Sequence, residues 1–568
     1  MGFVLLDDQG TGKQFVFQNP ETVITADCPK DLEAAFTAIE AAQDAGKWLA
    51  GWMSYDLGRA LEPRFTPPEG PLIRLGVFGA PGNYPPADWL YTRDVPALDF
   101  KPSWTEADYL RRFTAVQNYL QAGDCYQVNL TFPMFAKSAA TPTQIYAAFR
   151  QRQPGRYGAV VSLGGADIVS FSPELFFQRT GKNMRMRPMK GTRPRAENSV
   201  LDAALLAEMR AEPKSQAENL MIVDLLRNDL SRLCELGSVK VPELFTLETY
   251  PTLHQMTSEV TGSLKPSVTW ADIFQSLFPC GSVTGAPKIR AMEIINELES
   301  GSRQAYCGGV GYIAPNGDAS FSVAIRTVQM QDGEVRYDVG SGVVLDSDGS
   351  DEYAECLLKS QIFNTPKAGV IETFRRLPKG EIPREDLHFA RLSKQVDVSS
   401  VKTLKDLLER PSGQDERVRL IVRDGEFSQR ITLFEEMKTP LSLCLSRYEL
   451  EAQLQGTTFK TTMRDFYDGE RARLQALMGV DEVIFFNADG DLCEGSFTTL
   501  FIEKQNKLLT PDVSCGLLPG VLRQDLLNSG DVSEAILTLA DIKSADAIYV
   551  GNSLRGLMPA EFIDFLPH

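Results

Sequence analysis

The sequence has few histidines and no closely spaced pair of cysteines. Three histidines occur in 568 residues, and none of the nine cysteines belongs to a C-x-x-C motif. Structural zinc and disulfide frameworks rely on such spacings, so both are disfavoured. A transition-metal site built on imidazoles is disfavoured as well. Any metal bound by this chain is therefore expected to have oxygen ligands.

Long apolar runs and basic clusters are also missing. No segment approaches the roughly 18 apolar residues of a membrane helix, and the N-terminus lacks the basic start of a signal peptide. The 75 acidic side chains outnumber the 58 basic ones and give a net charge of −17, which opposes binding to a polyanion. We expect a cytoplasmic protein that binds neither nucleic acid nor membrane.

The composition of the chain, with 43% hydrophobic and 23% charged residues, is typical of a folded protein. A single core stops growing at roughly 250–300 residues, which predicts more than one domain. Residues 1–103 are predicted as a strand-rich layer and 104–363 as mixed helices and strands, including helices over 106–121 and 207–233. A polar breaker at 364–369 is predicted to be a linker, followed by a second unit over 370–568. The pattern indicates an α+β or α/β fold.

One lysine occupies an unusual setting. Lys190 stands in the segment Arg-Pro-Met-Lys-Gly-Thr-Arg-Pro, where proline and glycine predict a loop whose backbone can approach a ligand. A loop lysine considered alone is usually a solvated charge. A functional interpretation of Lys190 depends on the other motifs in the sequence.

These other motifs are acidic helices and glycine turns. Glu218 interrupts an apolar helical stripe, and Glu355 lies one helical turn before Lys359, a spacing that a simple ion pair also explains. Carboxylates from two helices would suit Mg²⁺. Glycine turns expose N–H groups that bind anions, and Arg326 offers a planar fork to a carboxylate.

Together with the segments Gly-Asp-Cys-Tyr-Gln-Val-Asn-Leu from residue 123 and Ser-Pro-Glu from residue 172, these motifs resemble the chorismate-binding enzymes. That family includes anthranilate synthase and aminodeoxychorismate synthase component I. The resemblance implies the anthranilate synthase component I-like fold, with Mg²⁺ held by Glu218 and Glu355 near Glu352, and His254 near the reacting carbon. It also implies that chorismate contacts Thr284, Gly285, Tyr312, Arg326, Gly340, Gly342 and Lys359.

Lys190 distinguishes the chemistries of that family. The loop is similar to that of the enzymes that aminate chorismate at C4, whereas anthranilate synthases carry alanine at this position. The resemblance implies that Lys190 adds to C2 as the C4 hydroxyl leaves, after which ammonia adds at C4 and expels the lysine. The attacking amine must be neutral, and Arg187 or Arg193 is predicted to supply a cation that favours that form. Anthranilate synthase and a non-catalytic scaffold are the alternatives.

The ammonia must come from elsewhere, because no glutaminase nucleophile motif is visible in the sequence. A separate glutaminase subunit is therefore the expected partner.

The second unit resembles class IV aminotransferases, the group that includes aminodeoxychorismate lyase. The resemblance implies pyridoxal phosphate bound through Lys460 as Schiff base, with Glu494 at the pyridine nitrogen and Thr373 assisting catalysis. It implies phosphate contacts from Arg391, Thr499, Gly520, Val521 and Ser553. Such a unit would release pyruvate to give 4-aminobenzoate, and a homodimer through this unit is possible. Because the usual opening strands are missing, a remnant with no cofactor is the alternative.

Overall fold

A computed structural model describes residues 2–66, 70–90, 98–150, 156–194, 199–249, 253–299, 301–363, 369–394, 413–423, 426–450, 460–462 and 464–564. The chain divides into two compact units, Met1–Thr365 and Pro366–His568. Apart from Gly369, the predicted linker lies outside the described residues. No helix within the described ranges combines the length and the apolar character needed to cross a membrane.

The first unit contains two large sheets. Its strands are β1 Phe3–Asp8, β2 Lys13–Gln18, β3 Thr22–Ala26, β4 Trp48–Met53, β5 Ile73–Phe78, β6 Lys101–Pro102, β7 Gln127–Lys137, β8 Tyr157–Ser162, β9 Asp167–Ser172, β10 Leu175–Thr180, β11 Asn183–Arg187, β12 Met189–Pro194, β13 Lys240–Thr249, β14 Leu253–Ser263, β15 Gly285–Ala286, β16 Gly309–Ile313, β17 Ala319–Val323, β18 Thr327–Gln331 and β19 Glu334–Val343.

The helices of this unit are α1 Leu32–Asp44, α2 Asp56–Leu61, α3 Glu106–Gln121, α4 Pro142–Phe149, α5 Ser199–Ala211, α6 Pro213–Leu233, α7 Trp270–Leu277, α8 Lys288–Leu298 and α9 Gly349–Ser360. Helix α3 has the predicted bounds, and Thr105 and Asp108 close its first turn as a capping box. The helix predicted over 207–233 is instead two helices. The second starts at Pro213, which cannot donate a backbone hydrogen bond inside a continuous helix.

The two sheets face each other and enclose a core. One has the order β15-β7-β19-β18-β9-β8-β1-β2, with β6 beside β7. The other has the order β12-β14-β11-β10-β17-β16-β4-β5-β3, with β13 beside β14. Val4, Phe17 and Val161 of the first sheet pack with Trp52 and Val310 of the second. The strands of residues 1–103 therefore extend both sheets and do not form a separate layer.

Helices cover the outer faces of the two sheets. Ile39 of α1, Leu226 of α6 and Phe274 of α7 pack with Phe177 and Phe321 of the second sheet. On the first sheet, the ring of Phe132 of β7 packs against Tyr109 of α3 and Tyr353 of α9, with centroids 5.9 and 5.8 Å away.

The second unit has a small antiparallel sheet, β20-β21-β22, and a mixed sheet in the order β25-β24-β23-β30-β29-β26-β27-β28. Helix α10, which spans Glu385–Leu392, packs on the small sheet, where Phe374, Val418 and Leu420 contact Phe389 and Leu392. The strands are β20 Val370–Arg376, β21 Glu416–Arg423, β22 Glu426–Leu433, β23 Leu441–Leu445, β24 Glu482–Phe486, β25 Leu492–Gly495, β26 Thr499–Lys504, β27 Lys507–Pro511, β28 Ser533–Ala535, β29 Ala547–Asn552 and β30 Gly556–Phe562, and the helices are α10 Glu385–Leu392, α11 Asp465–Met478, α12 Val521–Ser529 and α13 Leu539–Lys543.

Candidate active sites

Lys190 lies on a strand, not in the predicted loop. It belongs to β12 and pairs with Met256 of β14, and the register shifts before Thr192 pairs with Gln255. Gly191 fills the shift with a φ of 72°, which favours glycine. Such a bulge bends a strand and re-aims its side chains. The proline and glycine that predicted a loop therefore mark an irregular strand.

The Lys190 amine lies beside a glycine and a buried amide. A Cβ placed on Gly342 of β19 would lie 3.4 Å from Lys190 Nζ and 2.9 Å from Gln127 Nε2. Gln127 is fully buried, and neither its Oε1 nor its Nε2 has a hydrogen-bond partner in the described part of the chain. A buried polar group left unpaired costs about 1–3 kcal/mol. The amide is therefore available to a ligand next to Lys190.

Glu174 is the acid of this cluster. It is only 4% exposed, and burial raises the pKa of its carboxyl to about 7, although the Ser282 hydroxyl and the charges of Lys190 and Arg326 oppose that rise. Close to neutral pH such a group exists in both protonation states. It can therefore give or accept a proton near the Lys190 amine.

Arg326 completes the cluster from the turn before β18. Its backbone adopts a φ of 51°, which is uncommon for a residue other than glycine and often marks a functional position. Burial lowers the pKa of the guanidinium, while Tyr337 and Glu174 act in the opposite direction. A buried cation of this kind suits the carboxylate of a ligand.

The turn with Thr284 and Gly285 is fastened to β7. Gly285 pairs with Val128, and a Cβ at Gly285 would lie 2.1 Å from the Gln127 carbonyl oxygen. The buried Thr284 hydroxyl donates within its own turn, to the carbonyl of Gly281 at 3.1 Å and of Cys280 at 3.2 Å. In the predicted substrate contact, the Thr284 hydroxyl could therefore only accept a hydrogen bond.

Lys359 has a structural contact in place of the predicted substrate contact. Its Nζ donates to the Gly340 carbonyl at 2.7 Å and pairs with Glu355 at 2.8 Å. A Cβ on Gly340 would lie 2.4 Å from Thr131 Cγ2, so this position has no room for a side chain. Lys359 therefore links α9 to β19 beside a closely packed glycine.

The three predicted metal ligands do not form one cluster. Glu352 accepts a hydrogen bond from Ser347 at 2.7 Å at the start of α9, and Glu355 holds Lys359. Among the described residues, no group of three or more His, Cys, Asp or Glu is arranged for a metal. The half-buried Glu218 of α6 has no partner in that same part of the chain. Mg²⁺ often takes only one or two protein carboxylates and completes its ligands with water and substrate. Glu218 and Glu355 therefore still fit this ion, whereas Glu352 does not join them as a third ligand.

His254 is fixed at both ring nitrogens. The ring is fully buried on β14, with Nε2 2.8 Å from Asp202 Oδ1 of α5 and Nδ1 3.0 Å from Thr249 Oγ1. An acceptor-only carboxylate at Nε2 favours the proton on that nitrogen. Asp202 carries no signal in the sequence, because it lies on a separate helix 52 positions away from His254.

The second unit has its own buried lysine. The Lys460 carbonyl accepts a hydrogen bond from Ile371 N at 2.7 Å, next to the small sheet. Burial lowers the pKa of the Lys460 amine to about 7, helped by Arg464, Arg419 and Arg391 and opposed by Asp468. An amine with this pKa is largely available as a nucleophile or base at neutral pH.

Glu494 faces the same neighbourhood from β25. Tyr467 donates to its Oε1 at 2.7 Å and Leu518 N donates to its Oε2 at 3.3 Å. Burial raises the pKa of this carboxyl to about 7, and the charges of Arg464 and Lys460 are among the effects that lower it. A protonated ring nitrogen would supply a further compensating charge here. Tyr467 was not predicted from the sequence.

Arg391 is bound by an acid. Its Nε and Nη2 donate to Glu372 at 2.6 and 2.8 Å, and Glu372 also meets His388 Nδ1 at 2.9 Å. His388 Nε2 lies 2.6 Å from Ser553 Oγ. The two predicted phosphate contacts, Arg391 and Ser553, are thus joined through a buried network, and Glu372 balances the Arg391 charge.

Three further predicted phosphate contacts meet at the start of α12. Gly520 precedes this nine-residue helix, Val521 begins it, and a Cβ on Gly520 would lie 2.8 Å from Thr499 Oγ1. Free N–H groups at a helix start bind phosphate. Lys460, the buried Glu494 and this helix start are the donor types that pyridoxal phosphate requires, so the residues fit the cofactor. Thr373 lies on β20 opposite Arg419 of β21.

Residues 85–365 match the family model described as chorismate binding enzyme. A Synechocystis protein named anthranilate synthase component I-like protein is 32% identical over 365 residues, covering 59% of this chain and 75% of that relative. The chain belongs to the chorismate-binding enzymes. Residues 369–563 match the model described as amino-transferase class IV, which confirms the predicted combination of the two units.

Two further comparisons refine this result. Aminodeoxychorismate synthase component 1 of Klebsiella aerogenes is 40% identical over 274 residues, covering 47% of this chain and 61% of that relative. The chain thus spans about three fifths of that curated relative. Anthranilate synthase component I from Streptococcus pneumoniae TIGR4 has a TM-score of 0.53 at 24% identity, covering 64% of this chain and 90% of that one. The predicted anthranilate synthase component I-like fold is confirmed.

Tyr312 lies away from the active-site cluster of this chorismate-binding enzyme. Its ring packs on Phe15 and Trp48, with centroids 5.2 and 5.7 Å away. Val323, just before Arg326, pairs with the opposite end of β16, at Gly309. A strand rises about 3.3 Å per residue, which separates Tyr312 from that end, and its substrate contact stays a prediction.

The two arginines predicted to act on Lys190 have acidic partners. Arg187 pairs with Glu248, with Glu243 at 3.1 Å and with Glu259 at 3.6 Å. Arg193 donates to Glu212 at 2.8 Å. Strand pairing places glutamates beside Arg187, and the start of α6 places Glu212 beside Arg193, so the effect of either cation on Lys190 stays a prediction.

Gln127 and Glu174 were missed, although both stand inside the motifs that carried the resemblance. Each is a buried polar residue followed by a buried apolar residue of a strand, Val128 after Gln127 and Leu175 after Glu174. A polar residue at a predicted core position was the available signal.

Proposed function

We propose that the first unit aminates chorismate at C4 to give 4-amino-4-deoxychorismate, with Lys190 as covalent nucleophile and with ammonia from a glutaminase partner. We propose that the second unit then releases pyruvate to give 4-aminobenzoate. The observation that carries the proposal is the cluster of Lys190, the unpaired Gln127 amide and the buried Glu174 acid.

In the first step, the Lys190 nitrogen bonds to C2 while the ring double bonds shift and the C4–O bond breaks. Protonated Glu174 gives its proton to the departing hydroxide, which leaves as water. Arg326 binds a substrate carboxylate through its planar fork. A side chain at Gly342 would lie against the Lys190 amine, so the glycine keeps this approach open.

In the second step, ammonia bonds to C4 and the C2–N bond to Lys190 breaks. The new ammonium group returns a proton to the Glu174 carboxylate, so the acid is restored. Lys190 leaves as the neutral amine that began the cycle. The Gln127 amide oxygen is the acceptor that would orient ammonia, since it has no other partner among the described residues.

Glu218 and Glu355 would hold Mg²⁺, with water and the substrate as its other ligands. The ion would neutralise the ring carboxylate of chorismate. Ammonia would come from a glutaminase subunit, and the designation component 1 of the Klebsiella aerogenes relative supports a second component.

In the second unit, Lys460 would hold pyridoxal phosphate, Glu494 would face its ring nitrogen, and the start of α12 with Thr499 and Ser553 would hold its phosphate. The cofactor supplies an electron sink. When its amine is free of the cofactor, Lys460 has a pKa of about 7 and would take the proton from the ring carbon that carries the amino group. The bond from the neighbouring ring carbon to the enolpyruvyl oxygen breaks, and Lys460 returns the proton to the departing enol, which leaves as pyruvate. Thr373 assists from β20.

The proposal is tested by mass spectrometry of the products formed from chorismate, Mg²⁺ and ammonium, with and without pyridoxal phosphate. We expect 4-amino-4-deoxychorismate without the cofactor and 4-aminobenzoate with it. Anthranilate, detected by its fluorescence, would overturn the C4 assignment. Aminodeoxychorismate that accumulates despite the cofactor would identify the second unit as a remnant.

A further inference from the structure

The two faces of the small sheet in the second unit differ in character. Phe374, Val418 and Leu420 pack against α10. Because side chains alternate along a strand, Thr373, Arg417 and Arg419 point to the opposite face. That face carries polar and charged side chains.

Arg417 and Arg419 are unusual in having no partner. Both are half-buried on β21, and neither makes a hydrogen bond or ion pair within the described part of the chain. Arg419 lies opposite Thr373 on one neighbouring strand and opposite Arg430 on the other. Like charges directly across a sheet are destabilising. Arg417 and Arg419 therefore form a local excess of positive charge with no ion-pair partner among the residues that the structure describes.

The surrounding charges confirm this excess. Burial lowers the pKa of Arg417, and Arg555 and Arg430 lower it further. Burial and Arg417 likewise lower the pKa of Arg419.

Asp468 is the acid that opposes this effect on Arg419. Its carboxylate also lies 3.8 Å from Arg464 and 3.9 Å from Arg471. Its single charge is thus shared among several cations.

The arginines border the Lys460 site. Arg419 is one of the cations that lower the pKa of the Lys460 amine. On the adjacent strand, Ile371 lies on the same face as Thr373 and donates its N–H to the Lys460 carbonyl at 2.7 Å. A molecule that reaches Lys460 therefore meets the arginine face.

We propose that Arg417 and Arg419 bind the carboxylates of a substrate that has two of them, and so select a dicarboxylate for the Lys460 site. Residues two apart on a strand are about 6.6 Å apart, which suits two separate carboxylates. Each guanidinium can take one carboxylate in two parallel bonds. An α-amino acid with one carboxylate would leave one arginine unpaired.

This inference rests on the lyase half of the proposed function, because 4-amino-4-deoxychorismate is such a dicarboxylate. The experiment is calorimetric titration of the full chain with isophthalate, a rigid dicarboxylate, and with benzoate. We expect isophthalate to bind at least about 10-fold more tightly than benzoate, which is the size of one charge-assisted bond. The difference should disappear in the variant Arg417→Gln/Arg419→Gln.

Arg375→Gln is the matched control, because Arg375 lies on the same face but pairs with Asp415 at 2.6 Å. It should retain the preference for isophthalate. Arg419→Lys keeps the charge without the fork and should lose part of the preference. Equal affinity for the two ligands, or a preference unchanged in the double variant, would overturn the inference. Preference for isophthalate without any pyruvate release would leave the site standing and remove the lyase assignment.

Discussion

The two lysine centres of this chorismate-binding enzyme have opposite surroundings. Lys190 lies near a buried carboxyl, Glu174, and an unpaired amide, Gln127. Lys460 lies near three arginines, and burial with these cations brings the pKa of its amine to about 7. One amine thus has a proton donor and acceptor beside it, whereas the other has neighbours that disfavour its own proton.

The difference matches the two proposed roles. A nucleophile that displaces a hydroxyl needs an acid for the leaving group, and Glu174 is placed for that task. A lysine that moves a proton on a bound substrate needs a pKa near the working pH. We therefore propose that the same residue type serves two chemistries according to what burial places next to it.

The largest effect is expected from Lys190→Ala. Removing the nucleophile should lower the rate of C4 amination by more than about 10³-fold, while chorismate binding changes little. Product formation is followed by mass spectrometry and binding by calorimetry. Lys182→Ala, which removes an exposed lysine, is the control. Unchanged aminodeoxychorismate formation by the Lys190 variant would refute the covalent role.

Lys460→Ala should abolish attachment of pyridoxal phosphate to the second unit and leave C4 amination within about 2-fold of normal, since the two lysines serve separate reactions. Borohydride reduction followed by peptide mass spectrometry shows whether the cofactor is fixed at residue 460. Lys504→Ala, at a lysine that pairs with Asp541, should keep the adduct. An adduct at another lysine would show that the cofactor assignment is wrong.

Glu174→Gln should slow C4 amination by about 10²–10⁴-fold, the usual contribution of a general acid. Because the folded pKa is raised to about 7, the protonated acid is present below that pH and is lost above it. The normal rate should therefore fall as pH rises through 7, and the variant should lack this decline. A pH profile of kcat/KM makes the comparison. The same alkaline decline in the variant would assign it to another group.

The smallest effect is expected from Tyr312→Phe. The ring packs with Phe15 and Trp48, so loss of the hydroxyl should change amination by less than about 2-fold, as for most substitutions away from a site. The KM for chorismate is the relevant measurement. A KM raised 10-fold or more would return Tyr312 to the substrate site.

Much of the architecture was predictable because it depends on local patterns. The bounds of α3 and the existence of β8, β19 and β20 follow from hydrophobic periodicity and capping residues. The predicted continuous helix over 207–233 is interrupted at Pro213, because proline lacks the backbone N–H that a helix interior requires.

For the site residues, the sequence and the tertiary structure determined different things. The sequence by itself determined which chemical groups exist, because Lys190, Lys460 and their motifs imply a family through residue type and order. Only the tertiary structure decided which groups meet. The contact between the two facing sheets brings Gln127 and Gly342 to Lys190. Strand pairing gives Arg187 its acidic partners and places Tyr312 at the other end of its strand, and the start of α6 gives Arg193 its glutamate. Burial, which is a property of the folded whole, then sets the protonation of Glu174 and Lys460.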